Sequence, residues 1–117
     1  MPSIRFVHTS DLHLGKRFGT MPDTIRSRLV EARHEVIARI ADVARSNGAS
    51  HVLVAGDTFD TETPSDNVRV QALAAMGSDP NLTWCIIPGN HDSLAAETLW
   101  ERVEADAPPN VRVLSKP

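Results

Sequence analysis

A chain of 117 residues with 41% hydrophobic and 23% charged residues has enough apolar material for one packed core and is too short for two domains. Its net charge of −3 gives no global attraction to nucleic acid or anionic membrane, so any nucleic-acid contact must be local. No stretch approaches the roughly 20 apolar residues of a membrane span, and "MPSIRFVHTSD" at the start does not read as a signal peptide, because its apolar run is short and acid follows at once.

Ile4 to Thr9, "IRFVHT", is short and rich in β-formers, and Ser10-Asp11 ends it; a strand is predicted there. A loop containing Gly15 and Gly19 follows. From Asp23 to Ser46 the apolar residues Ile25, Leu29, Ala32, Val36, Ile40 and Val43 recur in steps of three and four, the spacing of one helical stripe. Pro22 suits the start of that helix and Asn47-Gly48 suits its end. "HVLVA" at 51–55 is a nearly all-apolar run of strand length, as expected for a strand covered on both faces. Thr63-Pro64 reads as a cap followed by Pro at the first position of a helix to Met76. "LTWCII" at 82–87 is a third predicted strand, Ser93 a cap for a short helix through Leu99, Trp100 and Val103, and "VRVL" at 111–114 a fourth strand. Trp84 and Trp100 read as packing residues. The single Cys85 sits in an apolar strand, which excludes an internal disulfide and reads as a core thiol in a reducing cytoplasm.

The βαβαβαβ alternation implies an α/β fold with right-handed crossovers and a mostly parallel sheet. Ligands of such sheets bind beyond the carboxyl ends of the strands. Asp11 and His13 follow the first predicted strand, Asp57 and Asp60 the second, and Asn90, His91 and Asp92 the third. Each group alone has a bland explanation, because a strand-end Asp is frequently a turn residue or a helix cap. Together they bring carboxylate, imidazole and amide donors to one edge, a mixture that suits Mn²⁺, Fe or Zn²⁺. Gly56 and Gly89, each just before a donor, allow a tight turn close to an ion or a phosphate. Lys16 and Arg17, in the loop beside this edge, belong either to a solvated surface or to contacts with phosphate, which position a nucleic acid without reading its sequence.

"DLH" at 11–13, "GDTFD" at 56–60 and "GNHD" at 89–92 resemble the first three signatures of the calcineurin-like metallophosphoesterase superfamily, D-x-H, G-D-x-x-D and G-N-H-[DE]. "TSDLHLGKRF" with "GDTFD" is most similar to the SbcD-type DNA-repair exonuclease branch. The resemblance spans about residues 4–114 and implies the first half of an αββα sandwich. It also implies two divalent metal ions, Mn²⁺ being the first expectation. Asp11 and His13 would bind the first ion, Asp57 would bridge both, and Asn90 would bind the second. His91 would give a proton or hydrogen bond to the leaving oxygen, Asp92 would orient His91, and Asp60 would shape the loop behind the ligands. The implied reaction is metal-dependent phosphodiester hydrolysis, with DNA as substrate and an ATPase subunit as partner.

One departure is plain. The superfamily pattern continues with a lone His and then G-H-x-H, whereas the histidines here are His8, His13, His34, His51 and His91. Residues 1–117 are therefore expected to be the N-terminal part of a single metallophosphoesterase domain, either a fragment of a longer protein or a chain whose function has decayed. Three readings stay open: a DNA phosphodiesterase, the same chemistry on a small phosphoester or phosphoprotein, and an inactive half-domain. As an isolated polypeptide the chain is expected to bind Mn²⁺ weakly, to self-associate through an uncovered apolar face, and to lack measurable nuclease activity.

Overall fold

Four strands and three helices alternate along the chain in a computed structural model that describes residues 5–14, 22–56, 58–59, 64–88 and 94–114, without the side chains of residues 23, 26, 27, 29–34, 94 and 95. The elements are β1 (Phe6–Thr9), α1 (Asp23–Ser46), β2 (His51–Ala55), α2 (Asp66–Gly77), β3 (Thr83–Ile87), α3 (Leu94–Asp106) and β4 (Val111–Val113). The strands pair in the order β1-β2-β3-β4, and every pairing is parallel. Parallel neighbours need a crossover, and here each crossover is the helix between them.

One core joins the sheet to all three helices. Val52, Val54, Trp84, Ile86 and Val111 supply the sheet side, while Ile37 and Ala44 of α1, Leu73 and Met76 of α2, and Trp100 and Val103 of α3 close it from above. Right-handed crossovers between strands taken in sequence order place the helices on the same face. The other face, with Phe6, His8, His51, Leu53, Cys85 and Arg112, contains no buried residue. Among the described residues β2 is thus covered on one face, and not on the two that its apolar run implied. Cys85 is a free thiol, only half-buried on that second face, so it is not the core residue that the apolar surroundings in sequence indicated.

Local chemistry sets the helix ends. Asn47 closes α1, where its side-chain amide donates to the Val43 carbonyl at 2.8 Å, and Gly48 then turns the chain with a φ of 68°, a conformation that costs glycine little. The cap of α2 is Ser65, whose hydroxyl accepts from the Val68 amide at 3.3 Å. The expected cap, Thr63, lies outside the described residues, and Pro64 precedes the helix and does not open it. A serine directly before Asp66 reaches the first free amides of the helix. Arg45 pairs with Asp42 and with Asp79, and its hydrogen bond to Asp79 holds that carboxyl below the usual range. These pairs are exposed and contribute little to stability.

Asn110 fixes the turn that leads into β4. Its side-chain amide lies 2.9, 3.0 and 2.8 Å from the carbonyl oxygens of Met76, Asp79 and Leu82, so its hydrogens are shared among the end of α2 and the turn before β3. The residue is buried, and its loss would leave buried acceptors without their donor. Asn110→Ala is therefore expected to lower stability by about 1–3 kcal/mol, the cost of an unsatisfied buried polar group. Urea denaturation measures this directly, and a loss below about 0.5 kcal/mol, the scatter of surface substitutions, would show that the turn does not depend on the amide.

Candidate metal centre at the carboxyl edge of the sheet

Beyond Thr9 the sequence Asp11-Leu12-His13-Leu14 sorts its side chains by chemistry. Leu12 and Leu14 enter the core, at 5% and 0% exposure, while Asp11 is exposed and His13 half-buried. Two buried leucines thus fix the segment that carries the two polar groups. The backbone has an unusual form here. Asp11 has a φ of 58° and His13 a φ of 47°, the left-handed region, although neither is glycine. Such a conformation costs roughly 1–2 kcal/mol per L-residue and persists where surrounding structure imposes it, often at functional sites. The outcome is proximity: His13 Nε2 stands 3.9 Å from Asp11 Oδ1, and the Ser10 hydroxyl donates to Asp11 Oδ2 at 3.4 Å.

Backbone hydrogen bonds link the ends of three strands. The Asp11 amide donates to the Gly56 carbonyl at 3.3 Å, and the Gly56 amide donates to the Ile87 carbonyl at 3.1 Å. Asp11 opens the first motif, Gly56 opens the second, and Ile87 stands just before Pro88-Gly89, which lead into the third. Gly56 has a φ of 84°, and a Cβ there would meet nothing within 4 Å. Backbone conformation, not space, accounts for this glycine. Further along, the Leu14 amide donates to the Thr58 carbonyl at 2.9 Å, and Leu14 and Phe59 form an isolated parallel bridge.

Of the residues named from the sequence, Asp11 and His13 are brought together. Asp57, Asn90, His91, Asp92, Asp60, Lys16 and Arg17 lie outside the described residues. Among the described residues no group of three His, Cys, Asp or Glu side chains could hold a metal ion. The Asp11–His13 pair nevertheless fits a shared divalent ion. Ligand bonds of about 2 Å converging on one ion separate their donor atoms by at most about 4 Å, and carboxylate with imidazole is a suitable set for Mn²⁺, Fe or Zn²⁺.

Two residues that motif spacing does not single out also belong to this edge. Thr58 is 1% exposed, and its hydroxyl has no hydrogen-bond partner among the described residues. Phe59 faces Trp100 of α3, with ring centroids 6.0 Å apart and planes inclined by 56°. Within "GDTFD" both fall on the variable positions of G-D-x-x-D. The apolar Phe59 between two acids was the available signal that this loop reaches inward.

The sequence profile of the calcineurin-like phosphoesterases matches residues 4–114. The chain belongs to this phosphoesterase family. The match includes all three motifs, and the parallel α/β sheet agrees with the first half of the metallophosphoesterase fold. The chain is similar to the DNA double-strand break repair protein Mre11 of Saccharolobus solfataricus, with 30% identity over 95 residues, covering 77% of this chain and 23% of that protein. It is also similar to the SbcD subunit of the nuclease SbcCD of Escherichia coli K12, with 30% identity over 95 residues, covering 79% and 22% respectively. An uncharacterized metallophosphoesterase, YhaO of Bacillus subtilis, is 28% identical over 124 residues, covering 98% of this chain and 28% of its own length. The chain thus spans about a quarter of the length of these curated relatives. Family members generally bind divalent metals. No helix among the described residues is long and apolar enough to cross a membrane.

Proposed function

We propose that this chain carries part of the metal centre of a phosphodiesterase that acts on DNA. The observation that supports it best is the Asp11–His13 pair, held 3.9 Å apart on left-handed backbone at the carboxyl end of β1. Asp11 and His13 would hold one divalent ion, Asp57 would serve that ion and a second, and Asn90 would hold the second. The chemistry supplied at this site by bound ions would be a water of lowered pKa and neutralisation of charge on the phosphoryl oxygens. His91 donates a proton to the leaving oxygen, and Asp92 fixes the orientation of its imidazole. Asp60 supports the loop of Asp57, and Lys16 and Arg17 contact the DNA backbone.

DNA is favoured over a small phosphoester by the similarity to proteins named for double-strand break repair and for a nuclease. One of these is by name part of a larger nuclease, and an ATPase partner for the present chain belongs to the same reading. The half-buried free thiol of Cys85 fits work in a reducing cytoplasm.

The test is hydrolysis, with Mn²⁺, of linear DNA, bis-p-nitrophenyl phosphate and p-nitrophenyl phosphate by the complete enzyme of which this chain forms part and, beside it, by residues 1–117 alone. The complete enzyme is expected to cleave DNA and the diester in a metal-dependent way, abolished by chelation, restored by Mn²⁺ and lost in Asp11→Ala, whereas residues 1–117 alone are expected to show no measurable turnover. Hydrolysis of the monoester with DNA untouched would move the assignment to a small-molecule or phosphoprotein phosphatase.

A further inference from the structure

We propose that Phe59 is a positioning residue for Asp11 and His13, transmitting the fixed location of Trp100 on α3 to the loop that carries these two ligands. The proposal rests on the reading of Asp11 and His13 as metal ligands and adds to it a reason for their placement.

The left-handed backbone of Asp11 and His13 is not one that either residue favours by itself. Asp and His tolerate it better than most residues, and contacts from outside the segment help to hold two such residues so close together. Among the described residues, restraints from the second loop include the Asp11 amide on the Gly56 carbonyl, at 3.3 Å, and the shorter bond from the Leu14 amide to the Thr58 carbonyl, at 2.9 Å. They bracket His13. The first is secured in turn, because Gly56 is tied to Ile87 of β3. The second ends on Thr58-Phe59, which belongs to no strand of the sheet and meets Leu14 through an isolated bridge.

What holds Thr58-Phe59 in place is then the question. The Thr58 hydroxyl has no hydrogen-bond partner among the described residues, although the side chain is buried. The Phe59 ring does have a defined contact. It lies against Trp100 at a centroid distance of 6.0 Å and a tilt of 56°, within the range of favourable tilted aromatic pairs. Trp100 is a firm support, being 9% exposed between Leu99 and Val103 on the inner side of α3. A continuous path of packed groups therefore runs from α3 through Trp100 and Phe59 to the Leu14 backbone and so to His13. Without the ring, the Thr58 carbonyl can shift, the Leu14 bond weakens, and the two ligands lose the backbone geometry that brings them together. Groups that orient metal ligands without touching the ion commonly change affinity by 10–100-fold.

The competing explanation is that Phe59 only fills the core. A filler alters stability and leaves the affinity of the folded protein unchanged. The experiment is Mn²⁺ binding to the full chain by titration calorimetry, at a temperature where circular dichroism shows every variant folded. Phe59→Ala should weaken Mn²⁺ binding by about tenfold or more. Phe59→Leu keeps apolar bulk without the ring contact and should give an intermediate loss, while Phe59→Tyr should bind like the wild type. Leu73→Ala, a core truncation in α2, should lower the unfolding temperature without changing affinity. If Phe59→Ala does not fold, the comparison of Phe59→Leu with Phe59→Tyr decides. Affinities of the Phe59 variants that match the wild type, with stability reduced as in Leu73→Ala, would overturn the positioning role alone. A wild-type chain that binds no Mn²⁺ would overturn both this role and the metal centre beneath it.

Discussion

In the complete enzyme, His91→Ala should cut turnover by roughly 10²–10⁴-fold, the usual contribution of a positioned acid–base group, while leaving the metal content of the protein nearly intact. The expectation follows from the role proposed for His91, which gives a proton to the leaving oxygen and does not bind an ion. Asp57→Asn should behave differently, because a neutral amide in place of the carboxylate proposed to serve both ions would remove a charge that both need. That variant should lose both metal and activity. Metal analysis of the two purified proteins separates the roles before any rate is measured. A loss of metal in His91→Ala equal to that in Asp57→Asn would identify His91 as a ligand and remove the proton donor from the mechanism.

Trp84→Ala should be the most damaging single substitution in the sheet. Trp84 is fully buried at 0% exposure on β3, a central strand, among residues that close the core from all three helices. Truncation of a large buried aromatic costs about 3–5 kcal/mol, because the transfer energy of the ring is lost and a cavity remains. A domain of this size has only about 5–15 kcal/mol in total. Urea denaturation followed by circular dichroism should thus show a much earlier transition or no folded baseline. A cost near 1 kcal/mol would mean that the core collapses around the gap and that the sheet is less firmly packed than the structure indicates.

The parts of the fold legible in the sequence were those determined locally. The Asp23–Ser46 helix lies where three- and four-residue apolar spacing predicted one, but the predicted stripe is not its core face. Ile25 and Val43 are exposed, while Ile37, Ala41 and Ala44 face the core, because spacing alone does not show which of two adjacent apolar rows meets the sheet. Asn47-Gly48 closes the helix because an amide side chain reaches Val43 and Gly48 accepts a positive φ. The start of α2 was less legible. Thr63 and Ser65 are both reasonable caps, and only the three-dimensional path shows Ser65 meeting the Val68 amide. Whether β2 is covered on one face or two could not be read from "HVLVA", since an apolar run reports burial without counting layers. In the candidate site, Asp11 and His13 were legible because strand-end position and donor chemistry coincide. The left-handed backbone that draws them together was not, and neither was the Phe59–Trp100 contact, which joins residues far apart in sequence and leaves no periodic trace.

The strand order β1-β2-β3-β4 has a consequence for how the protein comes into being on the ribosome. Each strand joins the one made just before it, so no strand has to be inserted between two that are already paired. The sheet can grow from one end as synthesis proceeds, each emerging helix and strand docking on a template that already exists. Domains generally acquire structure from the N-terminus during synthesis, and a topology of sequential neighbours keeps each loop closure short. The same order leaves an unsatisfied strand edge at the growing end until the next segment arrives. A pause in translation within such a window exposes that edge to other chains, which makes the rhythm of synthesis a determinant of yield for this architecture.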